Sequence, residues 1–377
     1  MAGALALLAW SSGCGGEDVA PRARDAGLAI GVTEANPNLV WSPQARLAPP
    51  PFQRWQRALH SLRPSYYRVM VDWEKVQPAA DVPPNWDLVD PGCMRATPPC
   101  APYAGVREQL RAARSRQRGD GALEVLVVFW GMPAWAGKRA PGCRSERAPT
   151  RALAVAPRAL PAYGELVRSL LELAIAEGVT LRWWSPWNEP NLEAHLAPQR
   201  SRCDRGAASR APAAYARLAR TLAAELARAP GEQRIVLGEL AGFTKPEVRA
   251  ASVAEFVAAL PDEVICAGAV FSQHAYVYRP EPGEAASARR SQGSVELLSS
   301  LIAALDRRRC EERKRIWITE TGLRRTVAGA AADEQAERAG CRALHATLAA
   351  WDRHPRIDAA FQYSFREHWT VLHAYSA

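Results

Sequence analysis

The sequence contains no long uninterrupted apolar run: nowhere in its 377 residues do the roughly 18 apolar residues of a transmembrane helix follow one another. It also lacks the His-Glu-x-x-His pattern of zinc hydrolases and the Gly-x-Ser-x-Gly pattern of serine hydrolases. No Cys-x-x-Cys pair with zinc-binding spacing is present either. These absences predict a protein without a membrane-spanning helix, a catalytic metal or a serine nucleophile, and we expect it to need no cofactor.

Basic residues outnumber acidic ones, but they form no cluster interleaved with aromatic residues. The chain has 48 Lys and Arg against 39 Asp and Glu, a formal net charge of +9. A basic surface can attract acidic glycans, membranes or nucleic acid. The arginines are scattered along the chain, however, and no basic stretch is interleaved with aromatic residues as in a nucleic-acid-binding protein. We therefore expect no nucleic-acid partner, and the favoured explanation of the charge is a genome-wide preference for Arg and Ala codons.

The amino terminus has the features of a targeting segment. A short apolar run, Ala2–Trp10, is followed by small residues and then by Cys14. This arrangement resembles a bacterial lipoprotein cleavage site, with Cys14 as the residue that carries the lipid anchor. We predict that residues 1–26 are a signal segment and tether and that residues 27–377 are one domain. The protein is then exported, as a cell-surface lipoprotein or in secreted form, and we expect a monomer.

Apolar, β-branched and aromatic runs alternate with amphipathic segments along the chain, the pattern of a parallel sheet covered by helices. Tyr163–Glu177 and Ser294–Arg308 repeat apolar residues at helical spacing. No internal repeat or linker divides the chain, and its composition is 48% hydrophobic, enough for a sizeable core. The fold class is therefore α/β in a single domain. The predicted strands are Leu28–Thr33, Tyr67–Val71, Leu123–Phe129, Leu181–Trp187, Arg234–Leu237, Ala269–Gln273, Arg315–Thr319 and Ala359–Tyr363.

Two of the predicted strands end in a glutamate. The first run, Leu181–Asn191, contains Glu189 followed by Pro, and the second, Arg315–Gly322, contains Glu320 shortly before Gly. Such a carboxylate lies where a buried strand opens into a loop, so two of them on one sheet can face each other across a cleft. Hydrolysis of a glycosidic bond needs this pair, one carboxyl to protonate the leaving oxygen and one to attack or to activate water.

Both motifs resemble those of a known group of enzymes. Trp187-Asn188-Glu189-Pro190-Asn191 is similar to the Asn-Glu-Pro signature that ends strand four in the large clan of retaining glycoside hydrolases built on (β/α)8 TIM barrels. Thr319-Glu320-Thr321-Gly322 is similar to the clan's nucleophile motif at the end of strand seven. The resemblance extends over roughly residues 27–363 and is nearest to the cellulase-like and β-xylosidase-like families.

The resemblance implies a double displacement at the β-glycosidic bonds of an oligo- or polysaccharide. Glu189 would be the general acid, with its pKa raised by burial and by the nearby negative charge. Glu320 would be the nucleophile and would stay ionised, with hydrogen-bond donors and a cation close by.

Further residues match positions of the clan. Arg68 matches an arginine that holds the nucleophile, and Tyr276 matches a tyrosine that donates to the same carboxylate. Asn188 matches the residue that binds the sugar 2-hydroxyl, and His274 matches a histidine that orients the acid or the sugar. An arginine inside a barrel needs a carboxylate partner in any case. Glu239, at the end of strand five, is a third carboxylate on the same rim, with either a supporting or an ordinary loop role.

The loops after the strands are rich in aromatic residues. Trp73 follows strand two, and Trp130 and Trp135 follow strand three. Because sugar rings present flat C–H faces, aromatic rings at the loop face of a barrel make good platforms for them. The alternative for each of these tryptophans is packing in the core.

The cysteines agree with export, since disulfides persist outside the cytosol. We predict three pairs and one cysteine left over: the pairs are Cys93–Cys100, Cys143–Cys203 and Cys310–Cys341, and the remaining cysteine is Cys266. The first pair brackets a short Pro-rich loop, the second joins the loops after strands three and four, and the third joins consecutive helices. The remaining cysteine precedes an apolar strand and should be buried. The alternative is seven free thiols in a cytoplasmic protein.

The chain departs from the clan near its end. Strand eight usually supplies a tryptophan beneath the sugar, whereas the sequence here offers Tyr363 or Phe365 in its place. Only twelve residues follow Phe365, too few for a normal eighth helix, which predicts an incomplete end of the barrel. These departures favour a second hypothesis, a non-catalytic carbohydrate-binding surface lipoprotein, whereas the presence of both glutamates favours an enzyme.

Overall fold

The apolar runs of the sequence form eight parallel strands that close into a barrel. The computed structural model describes residues 27–33, 57, 59, 61–87, 105–119, 123–243, 245–278, 295–324 and 334–363. The strands are β1 (Ala29–Thr33), β2 (Tyr66–Asp72), β3 (Glu124–Trp130), β4 (Trp183–Ser185), β5 (Arg234–Leu240), β6 (Val270–His274), β7 (Arg315–Thr321) and β8 (Ile357–Tyr363). Each pairs with its neighbours in sequence, and β1 pairs with β8 to close the ring. The predicted (β/α)8 TIM barrel in a single domain is confirmed.

Helices follow the strands on the outside of the barrel. They are α1 (Trp73–Val76), α2 (Val106–Arg118), α3 (Leu160–Glu177), α4 (Ala211–Leu226), α5 (Val253–Ala259), α6 (Asp262–Ala267), α7 (Val295–Asp306) and α8 (Glu334–Asp352). The predicted amphipathic segments form α3 and α7. In α3 the apolar side chains recur at helical spacing and are buried, as for Leu166 and Leu170, and Gly178 ends the helix with φ +65°. None of the helices in the described ranges is long and apolar enough to cross a bilayer.

Short elements lie in the loops at the carboxyl ends of the strands. Turns of 3-10 helix occupy Ser145–Arg147, Thr150–Ala152 and Pro157–Ala159. Two small ribbons pair Gly137–Lys138 with Ala154–Val155 and Val277–Tyr278 with Leu323–Arg324. Because all eight barrel strands are parallel, these loops gather at one rim of the barrel.

Aromatic rings fill the barrel below that rim. The ring of Trp317 in β7 lies 4.5 Å from that of Trp183, 4.8 Å from that of Tyr66 and 5.8 Å from that of Phe361 between centroids. Burial of one such ring stabilises the fold by roughly 1.5–3 kcal/mol. The filled layer closes the barrel from below, so the polar side chains nearer the carboxyl ends of the strands form a separate layer above it.

Two disulfides connect described residues, and they correct part of the predicted pairing. Cys143–Cys203 is present as predicted, with Cα atoms 4.7 Å apart. Cys266 is bonded to Cys310, with Cα atoms 5.2 Å apart, so the predicted Cys310–Cys341 pair and the unpaired, buried Cys266 were both wrong. Cys341 is disulfide-bonded as well.

The local packing explains this pairing. Lys314 Nζ donates to the carbonyl of Cys266 at 2.9 Å, and Arg308 forms an ion pair with Asp262 at the start of α6 at 2.8 Å. The loop after α7 is therefore held against α6, which brings the sulfur of Cys310 to Cys266. A linear pattern of helices does not show which loop returns to which helix.

Several expectations fall outside the described residues. These are the signal segment and tether of residues 1–26, the anchor at Cys14, the Cys93–Cys100 pair, Phe365 and the incomplete eighth helix. The disulfides that are present fit a protein that folds outside the cytosol.

Candidate active site

The end of β4 fixes the position of the predicted general acid. The strand stops at Ser185 because Pro186 has no N–H to donate. The backbone then bridges the neighbouring strands: Asn188 N donates to Phe129 O and Glu189 N donates to Glu239 O, both at 2.9 Å. Glu189 has a φ of +41°, a strained backbone conformation that is often found at functional sites.

The end of β7 carries the predicted nucleophile. The register between β6 and β7 shifts between Ile318 and Glu320, and this irregularity turns the Glu320 side chain into the barrel. Arg68 Nη1 donates to its Oε1 at 2.7 Å, and the Tyr276 hydroxyl donates to its Oε2. Both predicted partners of the nucleophile therefore lie at its carboxylate.

The two glutamates face each other at the rim. One carboxyl oxygen of Glu189 and one of Glu320 lie within 4.8 Å of each other, and a ring nitrogen of His274 lies within the same distance of both. Each glutamate is about 5% exposed. The structure thus brings together two buried carboxyl groups whose side chains come from opposite sides of the barrel.

Glu239 lies beneath this pair of glutamates and contacts both Arg68 and His274. Arg68 Nη2 donates to Glu239 Oε2 at 2.5 Å and to Asn188 Oδ1 at 2.6 Å. The Ser272 hydroxyl lies 3.0 Å from Glu239 Oε1. Burial raises the pKa of Glu239, but the positive charge of Arg68 and then the contact with His274 outweigh it and lower that pKa to about 2. Glu239, for which the sequence left two roles open, is a buried counter-ion of the site.

The side chain of Arg68 is completely buried, and burial and the neighbouring charges shift the pKa of its guanidinium in opposite directions. Desolvation lowers the pKa of Arg68, whereas Glu239 and Glu320 raise it well above its ordinary value. The arginine therefore remains a cation in the barrel at every pH at which the protein is folded.

His274 lies between three carboxylates. Its Nδ1 is 2.9 Å from Glu189 Oε1 and 3.5 Å from Glu320 Oε2, and its Nε2 is 3.4 Å from Glu239 Oε2. Burial lowers the pKa of His274, but the charges of Glu320, Glu189 and Glu239 outweigh burial and raise that pKa to about 10. At neutral pH the imidazole is accordingly protonated.

The pKa of Glu189 differs from the expectation. Burial raises the pKa of Glu189, as predicted, but His195 and His274 lower it by more than burial raises it. The pKa of Glu189 therefore lies below its ordinary value. The expected raised pKa was wrong, because two imidazoles next to the carboxyl group favour the anion. The proton that this pair of side chains shares rests on His274.

His195 was not predicted from the sequence. It lies six residues beyond Glu189 in the loop after β4, and its Nε2 is 3.1 Å from Glu189 Oε2. On its other side, the ring of Trp130 lies 6.3 Å away between centroids. A histidine in a loop without periodicity gives no signal that could have indicated this position.

The predicted aromatic platforms lie in different places. Trp130 is half-buried beside His195, and the guanidinium of Arg151 covers its ring at 4.5 Å from the centroid. Arg151 is in turn bonded to Asp72 Oδ2 at 2.8 Å. The rings of Tyr363, at the end of β8, and Tyr276 lie 6.4 Å apart between centroids, which places Tyr363 next to the hydroxyl group that donates to Glu320.

Trp73 and Trp135 pack into the core and do not form the expected platforms. Trp73 has 0% exposure, so it has no free face for a sugar, and its ring lies 5.6 Å from that of Tyr163. Trp135 packs edge-on against Trp73 at 5.5 Å and donates through Nε1 to Gln77 O at 3.1 Å. The alternative of core packing applies to both.

Glu189, His274 and Glu320 are also spaced closely enough to surround a cation. Their atoms are already engaged: Arg68 and Tyr276 donate to Glu320, and His274 contacts Glu189. We interpret the group as a hydrogen-bonded acid cluster whose positive charges are supplied by side chains.

No protein-family model matches the chain, and no curated protein matches it in sequence. Solved structures match its fold. SrfJ from Salmonella typhimurium does so with a TM-score of 0.51 and 10% identity, over 89% of this chain and 64% of that one. The endo-β1,6-glucanase BT3312 has a TM-score of 0.50 and 13% identity, over 89% of this chain and 65% of that one. A conserved exported protein from Bacteroides fragilis has a TM-score of 0.48 and 13% identity, over 89% and 69% of the two chains.

At these identities the likeness shows the barrel fold alone. This chain spans 64% of the length of the SrfJ chain and 65% of the length of the glucanase chain. Function has to be inferred from the residues of the site.

Proposed function

We propose that the protein is a retaining glycoside hydrolase that cleaves β-glycosidic bonds of an oligo- or polysaccharide by double displacement. The observation that carries the proposal is the pair Glu189 and Glu320, buried at the ends of β4 and β7 with carboxyl oxygens within 4.8 Å. Retaining enzymes hold their two carboxyl groups about 5–5.5 Å apart, whereas inverting ones need roughly 6.5–9.5 Å to admit a water molecule. The short separation supports direct attack on the sugar.

In the first step Glu320 attacks the anomeric carbon, and the bond to the leaving oxygen breaks. Arg68 and Tyr276 hold the attacking carboxylate in position. The leaving oxygen receives the proton through Glu189, to which it passes from His274 along the 2.9 Å contact. Glu320 is one of the charges that hold the proton on His274. Once Glu320 becomes a neutral ester, that charge is gone and the proton is released towards the leaving group.

In the second step Glu189 is an anion and acts as a base. It takes a proton from a water molecule, whose oxygen attacks the anomeric carbon and displaces the Glu320 carboxylate. The anion of Glu320 is restored, and its charge draws the proton back to His274. The cycle therefore consumes one water and leaves the site in its starting protonation state.

The proposal includes the setting of the enzyme. We propose that the protein is exported, either as a cell-surface lipoprotein that a lipid on Cys14 anchors or in secreted form. We propose further that it acts as a monomer on a glycan. The disulfides support export.

The test is turnover of a panel of aryl β-glycosides and polysaccharides by the wild type and three variants. We expect Glu320→Ala to lose nearly all turnover on every substrate, because no glycosyl-enzyme can form. Glu189→Ala should retain glycosylation by substrates with good leaving groups, and azide should rescue its second step. Glu172→Ala, which changes an exposed glutamate on α3, is the matched control and should keep full activity.

A second candidate is a barrel that binds glycans without cleaving them. It is favoured by the two histidines that contact both oxygens of Glu189, since they keep its carboxyl group ionised in the unliganded protein. Binding to glycans without turnover by the wild type on the whole panel would establish this candidate and refute the enzyme.

A further inference from the structure

The loop that carries His195 is fixed by its own hydrogen bonds. Trp187 Nε1 donates to the carbonyl of His195 at 2.8 Å, and His195 N donates to Leu192 O at 2.9 Å. Asn191 anchors the start of the loop through Nδ2, which donates to Ala241 O at 2.8 Å. The imidazole is therefore held in place by a preorganised turn and does not reach the site through a flexible chain.

His195 covers one edge of the general acid. Its Nε2 lies 3.1 Å from Glu189 Oε2, and its side chain is 11% exposed. His274 contacts the other oxygen, Oε1, at 2.9 Å. The carboxyl group thus lies between two imidazoles that come from different segments of the barrel, one from the loop after β4 and one from β6.

The two contacts differ in geometry. The contact of His274 is aligned as a hydrogen bond, whereas the N–H direction of His195 is not, and Glu189 Oε2 has no aligned donor among the described residues. Oε1 is consequently held by a hydrogen bond and is the oxygen that receives the proton from His274, whereas Oε2 is held, within the described part of the chain, only by its 3.1 Å contact with His195. The position of His195 therefore restricts the rotation of the carboxyl group.

The charged groups around His195 lie on two sides. On one side lies Trp130, whose ring is covered by Arg151, and Arg151 is paired with Asp72. In the same loop as His195, Glu193 is paired with Arg144 and Arg249. On the other side of His195, beyond Glu189, lie the charges that His274 contacts, Glu239 and Glu320, and their common partner Arg68. Among the described residues, the carboxyl group that His195 contacts is that of Glu189.

We propose that His195 is a positioning residue for the reaction, which acts through Glu189 by holding the Oε2 edge of its carboxyl group in the orientation from which a proton passes to the leaving oxygen. The kinetic part of this inference rests on the proposed function. The contact between the two side chains does not depend on it and can be measured separately.

The first experiment follows the carboxyl carbon of Glu189 by NMR in protein labelled at the glutamate carboxyl carbons, with Glu189→Gln for assignment. We expect His195→Ala to move the titration midpoint of Glu189 upward by about one unit or more, since an adjacent imidazole favours the anion. His195→Gln, which keeps a donor, should move it less. An unchanged midpoint in both folded variants would overturn the inference, and exposed His345 on α8 gives the control variant His345→Ala.

The second experiment measures kcat with aryl glycosides whose leaving groups differ in basicity. We expect kcat of His195→Ala to fall by about tenfold or more with a phenol of high pKa, a part of the roughly 10²–10⁴-fold that general acid catalysis contributes, and by less than about twofold with dinitrophenol. The alkaline limb of kcat/KM should move to higher pH. An equal loss with all leaving groups and an unmoved limb would show a merely structural role and overturn the proposal. If the wild type shows no turnover, the proposed function fails, while the NMR titration still decides on the contact.

Discussion

Replacement of Arg68 by methionine removes the cation that two buried carboxylates share. Arg68 and Glu239 both have 0% exposed side chains, and their ion pair is 2.5 Å long. The Glu320 side chain, at 2.7 Å from Arg68, is 6% exposed. Removing one partner of a buried ion pair leaves an uncompensated charge and typically costs about 3–5 kcal/mol. We expect the free energy of unfolding of Arg68→Met to be lower by this amount at pH 7.

The pKa of Glu239 gives an independent magnitude. It is about 2 in the folded protein against an ordinary value of 4.5, and this difference corresponds to about 3 kcal/mol of stability. Because the folded pKa is the lower one, the contribution is fully present above about pH 4.5 and is lost as the pH falls through about 2. The stability difference between wild type and Arg68→Met should therefore shrink by about 2 kcal/mol between pH 7 and pH 3.

The assay is urea unfolding followed by tryptophan fluorescence at pH 7, 5, 4 and 3. Arg205→Met is the control, since the ion pair of Arg205 with Glu247 is 3.2 Å long and both side chains are well exposed. Such a pair contributes about 0–1 kcal/mol. A loss of stability in Arg68→Met that equals that of Arg205→Met, or that stays constant from pH 7 to pH 3, would refute the buried network.

Three further changes have definite expected outcomes. Tyr276→Phe removes a hydroxyl donor from Glu320, the proposed nucleophile, and we expect kcat on aryl glycosides to fall by about 10-fold or more; unchanged kcat would contradict this role. Gly238→Ala forces a Cβ to 2.3 Å from Ser272 O at a φ of +100°, so thermal unfolding should show a clear decrease in Tm, and an unchanged Tm would contradict the close approach. Replacing Cys143 and Cys203 by serine opens a loop with a sequence separation of 60 and should cost about 4 kcal/mol in urea unfolding; equal stability would contradict the crosslink.

The barrel could be predicted because its strands are continuous apolar runs buried on both faces. Each of the eight predicted strands overlaps an observed one, and the largest difference is in β4, where Pro186 shortens the predicted Leu181–Trp187 to Trp183–Ser185. The pair Glu189 and Glu320 could be placed together for a topological reason. The carboxyl ends of the parallel strands all lie at the same rim of the barrel. A residue that is predicted at the carboxyl end of a strand can therefore be placed at that rim.

Other features depend on contacts that no linear pattern records. The position of His195 follows from hydrogen bonds within an irregular loop, and the lowered pKa of Glu189 follows from His195 and His274, which outweigh the effect of burial. Trp73 was expected at the rim because it directly follows β2. It instead begins α1 and turns into the core, a choice that the spacing of aromatic residues does not reveal.

The central claim is that Glu320 forms a covalent bond to the sugar. The most direct test is incubation of the wild type with 2-deoxy-2-fluoro aryl β-glycosides, chosen from the sugars that it hydrolyses, followed by mass spectrometry of the peptides. The account predicts that the mass increases by one fluorosugar, that the label is on Glu320, and that Glu320→Ala remains unlabelled. Turnover without any trapped intermediate, or a label on another residue such as Glu189 or Glu239, would contradict it.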